Sequence, residues 1–202
     1  MFPVLKALRY RKIKSLKQTA RTFELQRDWS KAQAIWDRIS QEDSSYFFAY
    51  IKLGNLFNEL GERQKAISQF EKIPDAEHRY YYDKYVGIAG VYERMDDWQA
   101  SLAAWEKAIK GTPATPENSR KIALALAHKA KCLLKLNQLG ESNKFITAAL
   151  YLDRQLRGET DATLTRMALA QGDAKKIRAI VDRARRLGNR DEIIETMMMR
   201  LI

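Results

Sequence analysis

Apolar and small residues recur along this chain at helical spacing, three and four apart, with no sustained alternation of the strand kind. A small residue four positions before a large apolar one, with another apolar residue three later, appears as Ala32/Trp36/Ile39, Ala66/Phe70/Ile73 and Ser101/Trp105/Ala108. Weaker copies follow at Ser142/Ile146/Ala149 and Ile177/Val181/Ala184. The leading members are 34, 35, 41 and 35 residues apart. A second helical pattern precedes each of the first four: Leu16/Thr19/Ala20/Phe23, Tyr50/Leu53/Gly54/Phe57, Tyr85/Ile88/Ala89/Tyr92 and Leu126/Lys129/Ala130/Leu133. Two helical patterns per period predict antiparallel helix pairs that must stack, because no single pair covers its own apolar face. Gly54, Ala89 and Ala130, met by Ala66 and Ser101, predict close helix contacts with aromatics filling the grooves beside them. The longest interval contains Gly111–Ser119, a turn-rich insertion.

The second unit, Tyr50-x2-Leu53-Gly54-x2-Phe57 followed by Gly61, Ala66 and Phe70, resembles the tetratricopeptide repeat family. The likeness covers about five units over residues 10–187 and is strongest in the second and third. The fifth, from about 161 to 187, keeps Ala168, Gly172 and Ala184 but lacks the aromatics, and most units lack the closing proline. The resemblance implies an all-α fold, a right-handed superhelix of stacked antiparallel helix pairs, as a single domain over 1–202. It also implies a non-catalytic scaffold that binds a protein or peptide. Family members make their ligand contacts mainly from the first helix of each pair, on the face turned from its partner. Carried over position by position, that groove holds Lys14, Lys17, Arg21, Phe48, Ile51, Asn55, Asn58, Asp83, Val86, Glu93, Lys131 and Lys135, with Gly90 and Ala127 among them. Its cations do not continue into the second and third units, which argues against the two-carboxylate clamp that some members close on acidic chaperone tails. Tyr80, Tyr81 and Tyr82 lie 100° apart in turn on a helix, so at least one is expected to face a partner.

Charge changes the picture at the ends. The formal net charge is +11, yet residues 1–21 carry seven cations and no acid, and residues 173–190 carry seven cations against two acids. Phe2, Leu5, Leu8, Ile13, Leu16 and Ala20 form an imperfect apolar stripe in the basic segment 1–21. With Lys6, Arg9, Arg11 and Lys12 around it, this segment suits an anionic membrane surface. A solvated first repeat, a targeting segment and nucleic-acid binding through the basic ends are the alternatives. Nucleic acid is disfavoured at 173–190, whose cations have no aromatics among them to stack bases. Residues 188–202 read as an amphipathic helix with Ile193, Ile194, Met197, Met198, Leu201 and Ile202. It suits a cap over the last open face, or a homodimer contact through 190–202, or a chain continued in a larger protein. The layout is similar to the helical repeat regions attached to bacterial capsule and surface-polysaccharide glycosyltransferases. A helical accessory region of such a membrane-associated system is therefore an alternative function.

The remaining chemistry is sparse. One cysteine, Cys132, and two histidines, His78 and His128, exclude a disulfide framework and a cysteine- or histidine-rich metal cluster. There is no phosphate-binding glycine loop, nucleophile elbow or helical His-Glu-x-x-His. The reading therefore carries no enzyme activity, no cofactor and no metal. With no apolar run of membrane-spanning length and a poor secretory signal, it expects a cytoplasmic protein, peripheral at the inner face of the membrane.

Overall fold

The computed structural model describes residues 2–152, and every regular element among them is helical. In order these are α1 (Phe2–Leu25), α2 (Trp29–Glu42), α3 (Phe48–Glu59), α4 (Arg63–Glu71), α5 (His78–Arg94), α6 (Trp98–Lys110), α7 (Ser119–Lys135) and α8 (Leu139–Leu152), with one 3-10 turn at Pro116–Asn118. Contacts gather them into two compact units, Met1–Asp96 and Asp97–Ile202. In the first, α1 pairs with α2 and α3 with α4, while α2 packs on α3 and α5 lies against both α3 and α4. In the second, α7 packs against α6 on one side and α8 on the other. The fifth repeat, the basic run 173–190 and the segment 188–202 lie outside the described residues.

The small-large-apolar series is the core of both units. Ala32, Trp36, Ile39, Ala66, Phe70, Ile73, Ser101, Trp105, Ala108, Ser142, Ile146 and Ala149 are each at most 2% exposed. Serine stands in for alanine without leaving a bare hydroxyl: Ser142 donates to the Ala130 carbonyl at 2.7 Å, and the Ser101 oxygen lies 3.3 Å from the Cys132 sulfur. Among the first helices, α3 buries Tyr50, Leu53, Gly54 and Phe57, and α5 buries Tyr85, Ile88 and Ala89. In α1 the series is weaker, with Thr19 exposed and Leu16 and Phe23 half-buried.

The helix-to-helix turns repeat as faithfully as the core. Arg27, Gly61, Asp96 and Asn137 all have positive φ, at 57°, 82°, 56° and 62°. Each lies five residues before the buried small residue of its unit. The amide of the following residue reaches back five positions in Asp28→Phe23, Glu62→Phe57 and Gln138→Leu133, at 2.8–2.9 Å, which is a Schellman closure of the first helix. Asp28 and Asp97 then cap the second helix, accepting from the amides of Lys31 at 3.2 Å and Ala100 at 3.0 Å. Asp28 thus ends one helix and starts the next. Glycine, free of a Cβ, occupies the left-handed site once; the other three residues hold it against their steric preference.

Phe70 is the tightest point of the first unit. It is fully buried between α3 and α5, and both helices meet its ring with a glycine. A Cβ built on Gly54 would lie 2.6 Å from the Phe70 Cζ, and one on Gly87 2.3 Å away. The close approach inferred for Gly54 is therefore shared by Gly87, which lies outside the repeated Ala89 position. The loop after Ile73 is tied down nearby. Lys84, only 7% exposed, donates to the Ile73 carbonyl at 2.7 Å and to Asp75 at 2.6 Å, and the Tyr85 hydroxyl lies 3.0 Å from both Asp75 carboxylate oxygens. In the second unit the insertion closes on itself. Thr112 donates to the Ala108 carbonyl at 2.7 Å and the Asn118 amide to the Pro113 carbonyl at 3.0 Å.

Gly87→Ala is expected to lower stability by about 1–3 kcal/mol through overpacking, although alanine gains about 1 kcal/mol over glycine in an ordinary helix. Urea unfolding of Gly87→Ala, Phe70→Leu and the double variant should show a coupling of at least about 0.5 kcal/mol, because leucine vacates the space the new methyl needs. Arg27→Gly is expected to raise the unfolding free energy by up to about 1 kcal/mol, and Asn137→Gly by less, since asparagine tolerates the left-handed region.

Candidate functional site

The first unit presents a strip built on α1 and α3. The Lys17 ammonium of α1 lies 5.5 Å from the ring centre of Phe48 in α3 and 5.8 Å from that of Tyr46 just before it. Phe48 meets Trp36 of α2 edge-to-face at 5.7 Å and Tyr46 at 6.3 Å. One turn along α3, the Lys52 ammonium sits 5.8 Å from the ring centres of both Trp36 and Phe48. Cations over aromatic faces, fixed by packing beneath, give a surface that is both charged and flat. Asn55, two turns beyond Phe48, is exposed and its side chain makes no hydrogen bond among the described residues, so its amide is free to donate and accept.

Glu24 holds this strip together and has no counterpart in the sequence reading. One carboxylate oxygen accepts from the Trp36 indole N–H at 2.8 Å; the other meets the Lys52 ammonium at 3.0 Å. A single side chain of α1 thereby joins α2 and α3. Along the outer side of α1, Lys14 and Arg21 are exposed and have no acidic partner among the described residues.

The other residues assigned to the groove are placed differently. Ile51 is 8% exposed and belongs to the core, because α3 is covered by α2, α4 and α5 rather than by its hairpin partner alone. Asn58 is turned to its own hairpin: its side-chain oxygen accepts from Arg63 at 2.8 Å, and its carbonyl accepts from Arg63 and, at 3.3 Å, from Arg94. Asp83 is exposed on α5, with Val86, Gly90 and Glu93 half-buried. In the second unit Ala127 is buried, and Lys131 and Lys135 lie with their ammonium groups 5.6 and 5.0 Å from the Trp98 ring centre, committed to α6. None of the three consecutive tyrosines stands free. Tyr80 packs edge-on to Phe47 at 6.4 Å, Tyr81 lies 4.8 Å from Tyr85, and Tyr82 has its phenol pushed up to about 12 by burial and then by the neighbouring Asp83.

The segment assigned to a membrane surface falls on the first half of α1. Phe2, Leu5 and Lys6 occupy its opening turns, and Leu8, Arg9, Arg11 and Lys12 are exposed. His128 stacks on Trp105 with centroids 4.5 Å apart, and no group of three or more metal-ligating side chains occurs among the described residues. No helix among the described residues is long and apolar enough to cross a membrane.

No protein-family model matches the chain, and no curated protein matches it. Solved structures do. MamA residues 41 to the end from Desulfovibrio magneticus RS-1 is similar with a TM-score of 0.72 at 14% identity, over 88% of this chain and 95% of that one. YrrB, described as a tetratricopeptide repeat protein with an unusual peptide-binding site, gives a TM-score of 0.66 at 17% identity over 96% and 97% of the two chains. A tetratricopeptide repeat protein from Parabacteroides merdae gives 0.71 at 13% identity, over 91% of this chain and 70% of that one. At these identities the likeness concerns the fold: it is all-α, of the tetratricopeptide repeat type, built from antiparallel helix pairs.

Glu24→Ala is expected to cost about 1–3 kcal/mol, because it leaves a buried indole N–H without an acceptor. Glu24→Gln should cost less, since its amide oxygen still accepts from Trp36 while the Lys52 ion pair is lost. Denaturant midpoints of the two variants check the order.

Proposed function

We propose that the protein is a non-catalytic scaffold whose first-helix strip, Lys17–Phe48–Asn55, holds an extended segment of a partner protein. One observation carries the reading: a lysine of α1 lies over two aromatic rings at the start of α3, and an exposed asparagine follows on α3 seven residues, two helical turns, after Phe48. An extended peptide presents backbone donors and acceptors that a free amide can pair, apolar side chains that rest on Phe48 and Tyr46, and acidic groups that Lys17 attracts. The groups are held before binding, so little ordering cost falls on the scaffold side. The tetratricopeptide fold supports protein or peptide partners as a class, and the peptide site named for YrrB supports the same reading. In this reading the scaffold works at an anionic surface, which its basic first helix reaches.

A peptide array probed with the purified protein, followed by fluorescence anisotropy on the peptides retained, tests the strip. Lys17→Glu and Asn55→Asp are each expected to weaken those peptides about tenfold or more, the size of one or two lost charge-assisted contacts. Gln64→Glu, exposed on α4, should leave them unchanged. Equal affinity across all three variants would move the site elsewhere.

A further inference from the structure

α1 is longer than the hairpin it belongs to. It runs 24 residues against the 14 of α2. Glu42, the last residue of α2, forms an ion pair with Lys12, and Ile13 is the first described residue of α1 to be buried. The ten positions before Lys12 therefore project past the end of α2 by about 15 Å. Where side chains of this overhang are described they face solvent, with Leu8 55% and Tyr10 69% exposed.

The overhang is ordered in two bands. Residues 2–5, Phe2 to Leu5, are all apolar, and Lys6, Arg9, Arg11 and Lys12 follow at once. Folding adds a cation that the linear sequence keeps apart. Arg38 of α2 comes to the same end, so that Lys12 by its hydrogen bond, then Arg38 and Arg9 by their charge, hold the Glu42 carboxyl below its ordinary range. Asp43, the next residue, is engaged by the Ser45 hydroxyl at 2.6 Å. The end of the hairpin is thus a positively charged collar next to the apolar opening turn of α1.

We infer that this overhang docks the protein on an anionic lipid bilayer, with its apolar opening turn at the headgroup–acyl boundary and the collar among the phosphates. The match is one of order: the apolar turn Phe2–Leu5 comes immediately before the cations along α1, and each nearby lysine or arginine adds attraction to anionic lipid. A nucleic acid would satisfy the collar but offers no apolar layer for residues 2–5. The inference rests on the anionic-surface part of the proposed function and is independent of the peptide strip.

Flotation of the full chain with vesicles of phosphatidylcholine alone, or of phosphatidylcholine with phosphatidylserine, tests it. The wild type is expected to float with the anionic vesicles only, and less so as salt rises. Arg9→Glu with Arg11→Glu should reduce recovery about tenfold or more, and Phe2→Ser with Leu5→Ser should reduce it severalfold. Lys14→Glu with Arg21→Glu makes the same charge change beyond the overhang and should retain most of the binding. Circular dichroism melts of the two charge variants should coincide with that of the wild type, since Arg9, Arg11, Lys14 and Arg21 are all exposed, and the melt of Phe2→Ser with Leu5→Ser separates lost docking from lost folding. Equal recovery with both lipids, or with neither, overturns surface attachment altogether. Anionic recovery that both overhang pairs leave intact overturns the overhang while keeping attachment through another basic segment. Binding of a short DNA duplex that Arg9→Glu with Arg11→Glu abolishes, without lipid recovery, overturns the lipid assignment in favour of nucleic acid.

Discussion

The packing of one phenyl ring against two glycine backbones sets the geometry of the first unit. Phe70 projects from α4 into the seam between α3 and α5, and neither Gly54 nor Gly87 has a Cβ to hold the helices apart. Helix axes approach one another only as closely as the side chains between them allow, and here a single ring meets glycine backbone on both sides. The consequence reaches the surface. With α5 drawn onto α3 from one side and α2 packed from the other, α3 has a narrow exposed stripe left, and Phe48, Lys52 and Asn55 stand along it. Ile51, one position from that stripe, falls inside.

Polar chemistry in the same unit divides into what is consumed and what is left over. Glu24 is consumed, one oxygen on an indole and the other on an ammonium, so the aromatic cluster below the strip is fixed without a bare charge. Lys84 is consumed likewise by the Ile73 carbonyl and Asp75, which anchors the loop between two hairpins. A buried lysine is tolerable under those terms because two protein oxygens accept from its ammonium, one of them charged, and the Tyr85 ring lies 5.2 Å away. The cations along the outer side of α1 have no such partners among the described residues, and they give the unit a one-sided field toward anionic groups.

The core of the fold was legible in the sequence with little ambiguity. A small residue followed four later by a large one can only be a close helix contact with its neighbouring groove, and all four such triplets among the described residues are buried. The turns were half legible. Gly61 announces a left-handed residue, but Arg27 and Asp96 give no such notice, because their backbone is forced by the hydrogen bonds on either side. The candidate site was the least legible part. A face assigned from one helix pair counts one neighbour, and α3 has three, so Ile51 was given to the groove when it is core. Lys131 and Lys135 fall in the groove by repeat register, yet they lie over the Trp98 ring, because a cation's aromatic partner can lie dozens of residues away in the chain.

Sequence alone determined the repeat, its period and the residues that fill the interior, because helical periodicity and side-chain size act locally and recur in each unit. Tertiary structure alone decided that Gly87 shares Phe70 with Gly54, that Glu24 joins three helices, and that Arg9 and Lys12 of α1 act with Arg38 on Glu42 at the end of the first hairpin. Those are contacts between helices, and their partners are chosen by the distance and angle at which the helices settle.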